Sequence, residues 1–323
     1  MVDAAPNLDP PQPDVLGEPW VQRRIPLRPS RRYGREPQAV LVHRSDAGAQ
    51  PRAVLYLHGF TDYFFHPAHA ERWRAAGFDF YALDLRLNGR SLREGERPGA
   101  IRDVRDHDEE IGIALAAIRA AGHQQVVLLG HSTGGLMAAG WAHRHPGEVD
   151  VIVLNSPWFD HNSPWFERRL LTPLVRLLAR VAPGVVVGKL QEGYGRFLHS
   201  STGGEWTYEL AWKPFAGFPV RAGLFASVRR EQARLARGLD VREPVLLCCS
   251  ARSGPVKRPT AEDLRTSDCV LDVDDMVRLA PHVGRDVTVE RIDGGIHDLA
   301  LSPRPARDRY EEAAIAWATA RLA

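Results

Sequence analysis

The stretch QVVLLGHSTGGLMAAGWAHR, residues 125–144, constrains the fold more than any other part of the chain. It joins an apolar, β-branched run to an Ala-, Leu- and Met-rich run through one serine, Ser132, standing between Gly130 and Gly134. A strand that turns into a helix within one residue forces strained dihedrals on that residue. Side chains two positions to either side would collide, so a G-x-S-x-G pattern is expected there. The turn lifts the serine Oγ above the sheet and aims the first helical N–H groups at any negative oxygen formed beside it. A bare G-x-S-x-G is a weak signal, and the bland alternative is a Gly/Ser loop. The flanking strand and helix, with the additional Gly135, make the signal specific.

The rest of the chain supplies the sheet this turn needs. Candidate strands are VQRRIPL, QAVLVHR, AVLYLHG, DFYALDL, QVVLLGH, VDVIVLN, PVLLCCS and DVTVERI. The later ones are continuous Val/Leu/Ile runs, as expected for strands buried on both faces of a parallel sheet. Helical patterns over about residues 66–76, 102–121, 133–145, 274–280 and 304–322 alternate with them. This alternation predicts an α/β fold: a mostly parallel eight-stranded sheet with helices on both faces. The short connection between the first two strands suits an antiparallel start.

The alternation breaks once, between Asn155 and Pro244. Thr172-Pro173 resembles a helix N-cap followed by a first helical proline, with Leu174, Leu177, Leu178 and Val181 on one face and Arg176 and Arg180 on another. The expected organisation is an extended N-terminal arm over 1–20, a core over 21–156 and 222–323, and a covering insertion, or cap, over 157–221. A crossover helix is expected near 227–238.

A serine hydroxyl is a poor nucleophile unless a base takes its proton and an acid orients that base. His297, in RIDGGIHDLALS, follows the last strand, and Gly294 and Gly295 let its loop cross the sheet edge. His282, at a helix end, is the weaker alternative. The acid is expected after PVLLCCS. Asp268 is preferred there, because Val270 and Leu271 can anchor its loop. Asp272 is second, since Asp272, Asp274 and Asp275 suit the start of a helix, and Asp160 is a remote third. Glu262 and Asp263 lie in the same long loop. His58-Gly59-Phe60 follows AVLYL, and the N–H groups of Phe60 and Thr133 are the expected oxyanion donors. His58 suits structural hydrogen bonding, and His131 suits packing beside the turn. His66, His69, His143 and His145 lack a supporting carboxylate or thiol spacing, so neither metal nor cofactor is expected.

Composition excludes other classes. Lys+Arg (42) nearly balances Asp+Glu (40), with no basic stripe, which argues against a nucleic-acid partner. Cys248, Cys249 and Cys269 form no disulfide framework, the first residues carry no basic-then-apolar leader, and no run is long enough to span a membrane. The expectation is a soluble, cytoplasmic protein of unspecified oligomeric state.

With these residues placed, the chain resembles the α/β-hydrolase superfamily, and within it the monoglyceride lipase, lysophospholipase and serine aminopeptidase-like group. The resemblance covers about residues 21–322 through LYLHGFTDY, FYALDLRLNGRS, LLGHSTGG, SDCVLDVDD and GGIHDL. It implies Ser132 as nucleophile, His297 as base, Asp268 as acid, Phe60 and Thr133 as oxyanion donors, and the insertion as a cap. The D-x-R-x-x-G-x-S segment, Asp84 to Ser91, is read as a structural brace. The implied activity is hydrolysis of carboxylic esters through an acyl-enzyme. Acyl transfer on the same residues and a non-catalytic ligand-binding protein are the alternatives. The expected partner is an ester or lipid-like small molecule. Trp158, Phe159, Trp165, Phe166, Leu170, Leu171, Leu174, Leu177 and Leu178 are candidates for an apolar pocket. Arg168, Arg169, Arg176 and Arg180 are candidates for contact with an anionic lipid surface through the cap, against the plainer reading of a solvated polar face.

Overall fold

The computed structural model describes residues 7–160, 175 and 177–323. All eight expected strands form, and a two-residue strand joins them: β1 (Gln12–Pro13), β2 (Trp20–Pro26), β3 (Gln38–Arg44), β4 (Arg52–Leu57), β5 (Phe78–Asp84), β6 (Gln125–His131), β7 (Val151–Asn155), β10 (Val245–Ser250) and β11 (Val287–Ile292). They lie in the order β1-β2-β3-β5-β4-β6-β7-β10-β11. The pairings from β1 to β5 along this order are antiparallel and the rest are parallel. Two further short strands, β8 (Val186–Gly188) and β9 (Val220–Arg221), pair with each other outside the main sheet.

The continuous apolar strands bury both faces. Val126 and Leu128 of β6 enter one core, while Val127 and Leu129 enter the other. On the first face lie α2 (Asp108–Ala120), α3 (Thr133–Arg144) and the helices Ala222–Leu235 and Val273–Leu279. On the second lie α1 (Pro67–Ala75) and the helix Ala306–Arg321. Parallel strands of one sheet end at one edge, so the loops after β4, β6, β7, β10 and β11 converge there.

The structure differs from the sequence reading at four places. The predicted helix over 102–121 opens as a 3₁₀ turn, Val104–His107, before α2. The crossover helix begins at Ala222, five residues earlier than expected. A helix at Ala261–Thr266 was not predicted, because it is six residues long and buries none of them. Its signal was present as a capping box between Thr260 and Asp263. Lastly, the arm is not simply extended: from residue 7 onward it packs on the sheet. Leu8 is buried and β1 pairs with β2. The Asp14 carboxylate accepts from Arg90 Nε and Nη2 at 2.5 and 2.8 Å.

Arg90 belongs to the brace segment. The Asp84 carboxylate accepts from the Phe64 N–H, the Arg90 N–H and Arg90 Nη1 at 2.9–3.0 Å, which ties the loop after β4 to β5. Beside it, Arg86 and His107 both contact the fully buried Glu110. Burial alone would push the Glu110 carboxyl up, but the His107 imidazole and the Arg86 guanidinium hold it at about 2, against an ordinary 4.5. A depressed carboxyl stabilises the fold above its unfolded pKa, and that contribution disappears as pH falls through the folded value. The shift corresponds to roughly 3 kcal/mol. Thermal stability is therefore expected to drop between pH 4.5 and 2, and Glu110→Gln to flatten that acid limb in calorimetry. An unchanged limb in the variant contradicts this assignment.

Among the described residues no helix is long and apolar enough to cross a membrane. Cys248, Cys249 and Cys269 are buried free thiols, and burial pushes the Cys249 thiol up to about 12.

Candidate active site

Ser132 follows β6 directly with φ 53° and ψ −114°, a backbone conformation that non-glycine residues seldom adopt. The flanking glycines are steric requirements. A Cβ on Gly130 would stand 2.5 Å from the Gly134 carbonyl oxygen, and one on Gly134 would stand 2.3 Å from that of Leu57. A Cβ on Gly59 would press on Ser132 Cβ and the His131 ring at 3.2 Å, so the loop after β4 needs glycine to approach the turn.

Three residues from three loops meet at this point. Ser132 Oγ lies 3.1 Å from His297 Nε2, and His297 Nδ1 lies 2.8 Å from Asp268 Oδ2. An ionised carboxylate only accepts, so Nδ1 carries the proton and Nε2 is free to receive one from the serine. The other Asp268 oxygen, Oδ1, accepts the Val270 and Leu271 N–H groups at 2.8 Å each. The apolar pair after Asp268 thus orients the carboxylate through its backbone.

The competing candidates fall elsewhere. Asp272 caps the helix Val273–Leu279, accepting from the Asp274 N–H at 2.9 Å. Asp160 pairs with Arg229, the Asp263 carboxylate accepts the Thr260 N–H in the capping box of its own helix and His282 is exposed. His58 links the Gly59 carbonyl and the Leu85 N–H. His69 pairs with Glu311, His143 accepts from the Asp240 N–H, and His145 stacks on Trp141, so these three occupy separate arrangements.

The N–H groups of Phe60 and Thr133 have no hydrogen-bond partner among the described residues, and both residues line the same cavity as Ser132. That cavity holds about 770 Å³ and is walled by Trp158, Leu190, Phe215, Leu224 and Val270. Its apolar wall departs from the expected one. Trp158 lines it, but Phe159 is packed into the core, Leu177 is 58% exposed and Leu178 is not among its lining residues. Trp165, Phe166, Leu170, Leu171 and Leu174 lie outside the described residues, as do Arg168, Arg169, Arg176 and the Thr172-Pro173 cap. Residues 190–225 and 256–271 supply most of the lining instead.

Sequence reasoning missed the polar shell behind His297. The Asp298 N–H donates to Tyr194 Oη at 2.9 Å, and the Asp298 carboxylate accepts from Asn155 Nδ2 at 2.8 Å. The Asn155 side-chain oxygen accepts the Leu299 N–H. The visible signal was a polar Asn155 ending an otherwise apolar strand; nothing local marked Tyr194. Burial opposes ionisation of Asp298, yet His131, His66, Lys213 and the Asn155 amide hold its carboxyl at about 2. Burial lowers the His131 imidazole, whose ring centre lies 5.0 Å from that of His297.

A family model described as serine aminopeptidase, S33, matches residues 49–304. A monoacylglycerol lipase of Mycolicibacterium smegmatis is 35% identical over 144 residues, which are 43% of this chain and 49% of the lipase. The matched region thus spans about half of that relative's length. The crystal structure of a Paleococcus ferrophilus monoacylglycerol lipase superposes with a TM-score of 0.62 at 20% identity, covering 83% of this chain and 94% of that one. A soluble variant of the Saccharomyces cerevisiae monoglyceride lipase, in complex with a substrate analogue, gives 0.62 at 14% identity, covering 99% and 97%.

Proposed function

From the membership of this chain in the serine aminopeptidase S33 family of α/β hydrolases, we propose that it is a serine hydrolase cleaving carboxylic esters of the monoglyceride type. The carrying observation is the two-bond relay from Ser132 through His297 to Asp268, set in the wall of an apolar cavity. Ser132 Oγ attacks the ester carbonyl as its proton passes to His297 Nε2. Asp268 stabilises the imidazolium so formed. The negative oxygen of the tetrahedral intermediate takes the Phe60 and Thr133 N–H groups. Their lack of other partners among the described residues supports that role, since such donors act best when already in place. Collapse expels the alkoxide, which receives the proton from His297, and leaves an acyl-serine. Water, deprotonated by His297, then releases the acid and restores the serine.

Residues 157–221, including the limb that carries Leu190 and Phe215, act in this reading as the cap over the acyl group. A wall of Trp, Phe and Leu side chains favours hydrocarbon over a charged peptide. Each buried methylene is worth about 0.8 kcal/mol, or roughly fourfold in affinity, until the pocket is full. Across acetyl, butyryl, octanoyl and lauroyl esters of one alcohol, kcat/KM is expected to rise and then level off, with an aminoacyl anilide far behind. A preference for the anilide, or indifference to acyl length, overturns the substrate class.

A further inference from the structure

The loop carrying the Phe60 N–H is gripped by the limb 209–218, through which the insertion returns to the sheet. Thr61, Asp62 and Tyr63 follow Phe60 directly, and each offers its side chain to that limb. The Phe218 N–H donates to Thr61 Oγ1 at 3.0 Å, Lys213 Nζ to Asp62 Oδ1 at 2.5 Å, and the Glu209 N–H to Tyr63 Oη at 2.7 Å. The Trp212 ring stands edge-on to Tyr63 at 5.2 Å, and the Lys213 ammonium lies 5.1 Å from the centre of the Phe65 ring.

Two features of the loop bear on this grip. Thr61 has φ 55°, which is costly for a β-branched residue and persists only where its surroundings impose it. Asp62, Asp298 and His131 also bring one oxygen or nitrogen each within 4.8 Å of one another, all buried. Two carboxylates this close repel in a low-dielectric site. The Lys213 ammonium seated on Asp62 already supplies the cation that such a cluster invites.

We propose that Lys213 and Asp62 form a partly buried latch through which the insertion holds the Phe60 N–H in its oxyanion-binding position. Lys213 is thus a positioning residue for the reaction. The latch rests on the assignment of Phe60 as an oxyanion donor. When it opens, Thr61 relaxes, the backbone on either side of it turns, and the donor loses its aim. The same limb carries Pro214, Phe215 and Gly217 into the cavity wall, so occupancy of the acyl pocket and readiness of the oxyanion site are mechanically joined.

The test compares wild type with Lys213→Met, Lys213→Arg, Asp62→Asn, Tyr63→Phe and the Lys213→Met/Asp62→Asn pair. Active sites are titrated with a fluorophosphonate, and kcat and KM are measured on a butyryl aryl ester. Inhibition by a trifluoromethyl ketone, which forms a tetrahedral adduct, reports the oxyanion site directly. Lys213→Met is expected to lower kcat per titrated site by roughly 30- to 100-fold, short of the 10²–10³ typical of deleting a donor outright. KM should stay within about threefold, and the ketone should weaken in step with kcat/KM. Lys213→Arg should restore most of the loss. The double variant should be no worse than Lys213→Met, because the two side chains act as one unit.

Kinetics of Lys213→Met within about twofold of wild type overturn the latch, as does a loss carried by KM, which would make Lys213 a substrate contact instead. Should Lys213→Met fail to fold, Tyr63→Phe carries the test, since it removes one hydroxyl from the same grip. A kcat loss of about threefold or more with KM unmoved is expected, and an unchanged kcat overturns the latch. Wild-type protein that neither labels nor cleaves esters would overturn the hydrolase reading and the latch with it. Active wild type with an indifferent Lys213 overturns the latch alone.

Discussion

Ser132→Ala is expected to fold as the parent does and to lose turnover of aryl esters by roughly 10⁵-fold. The substitution deletes one oxygen whose recorded side-chain bond is to His297 Nε2. Alanine keeps the Cβ that the turn already accommodates between Gly130 and Gly134. Thermal unfolding should therefore be nearly unchanged, and fluorophosphonate labelling should vanish with activity. What rate remains would come from substrate binding and from the Phe60 and Thr133 N–H groups. Purified Ser132→Ala with esterase activity within about tenfold of the parent would sink the nucleophile assignment.

Asp268→Asn should lower kcat by roughly 10³- to 10⁴-fold, whereas Asp272→Asn should change it little. The asymmetry follows from the hydrogen bonds of the two residues. Asp268 Oδ1 is held by the Val270 and Leu271 N–H groups, so an asparagine there must keep its oxygen on that side. Its NH₂ group would then face His297 Nδ1. That nitrogen can only accept from an amide donor, which moves the imidazole proton to Nε2, where it blocks transfer from Ser132. Asp272 caps a helix through the Asp274 N–H, and asparagine caps a helix equally well. The reverse ranking in steady-state kinetics would transfer the acid role to Asp272.

The sheet was legible because its causes are short-ranged. A strand buried on both faces must be apolar at every position, as in VVLL of β6 or VIVL of β7, whatever lies elsewhere in the chain. The turn at Ser132 was legible for the same reason, since its glycines answer collisions within a few residues and with the neighbouring strand. The helix Ala261–Thr266 escaped notice because periodicity needs more length than six residues provide. Hydrophobicity misled over the cavity wall: Phe159 and Leu177 are both apolar, yet one is buried in the core and the other faces solvent.

By itself, then, the amino-acid sequence determined the order of strands and helices, the strained serine between them, and the edge of the sheet at which loops would gather. Each is a consequence of local sterics and of side-chain alternation along one segment. The sequence ranked Asp268 ahead of Asp272 and Asp160, but only the tertiary structure decided that it lies beside His297, which residues wall the cavity, and that Asp14, Lys213 and Tyr194 take part in the polar framework. Asp268 and His297 are 29 positions apart, Ser132 and His297 are 165, and Asp62 and Lys213 are 151. A carboxylate in a loop looks the same in sequence whether it caps a helix, pairs with a surface arginine or orients an imidazole. Its partner is chosen by the packing of segments distant along the chain, and no residue pattern records that choice.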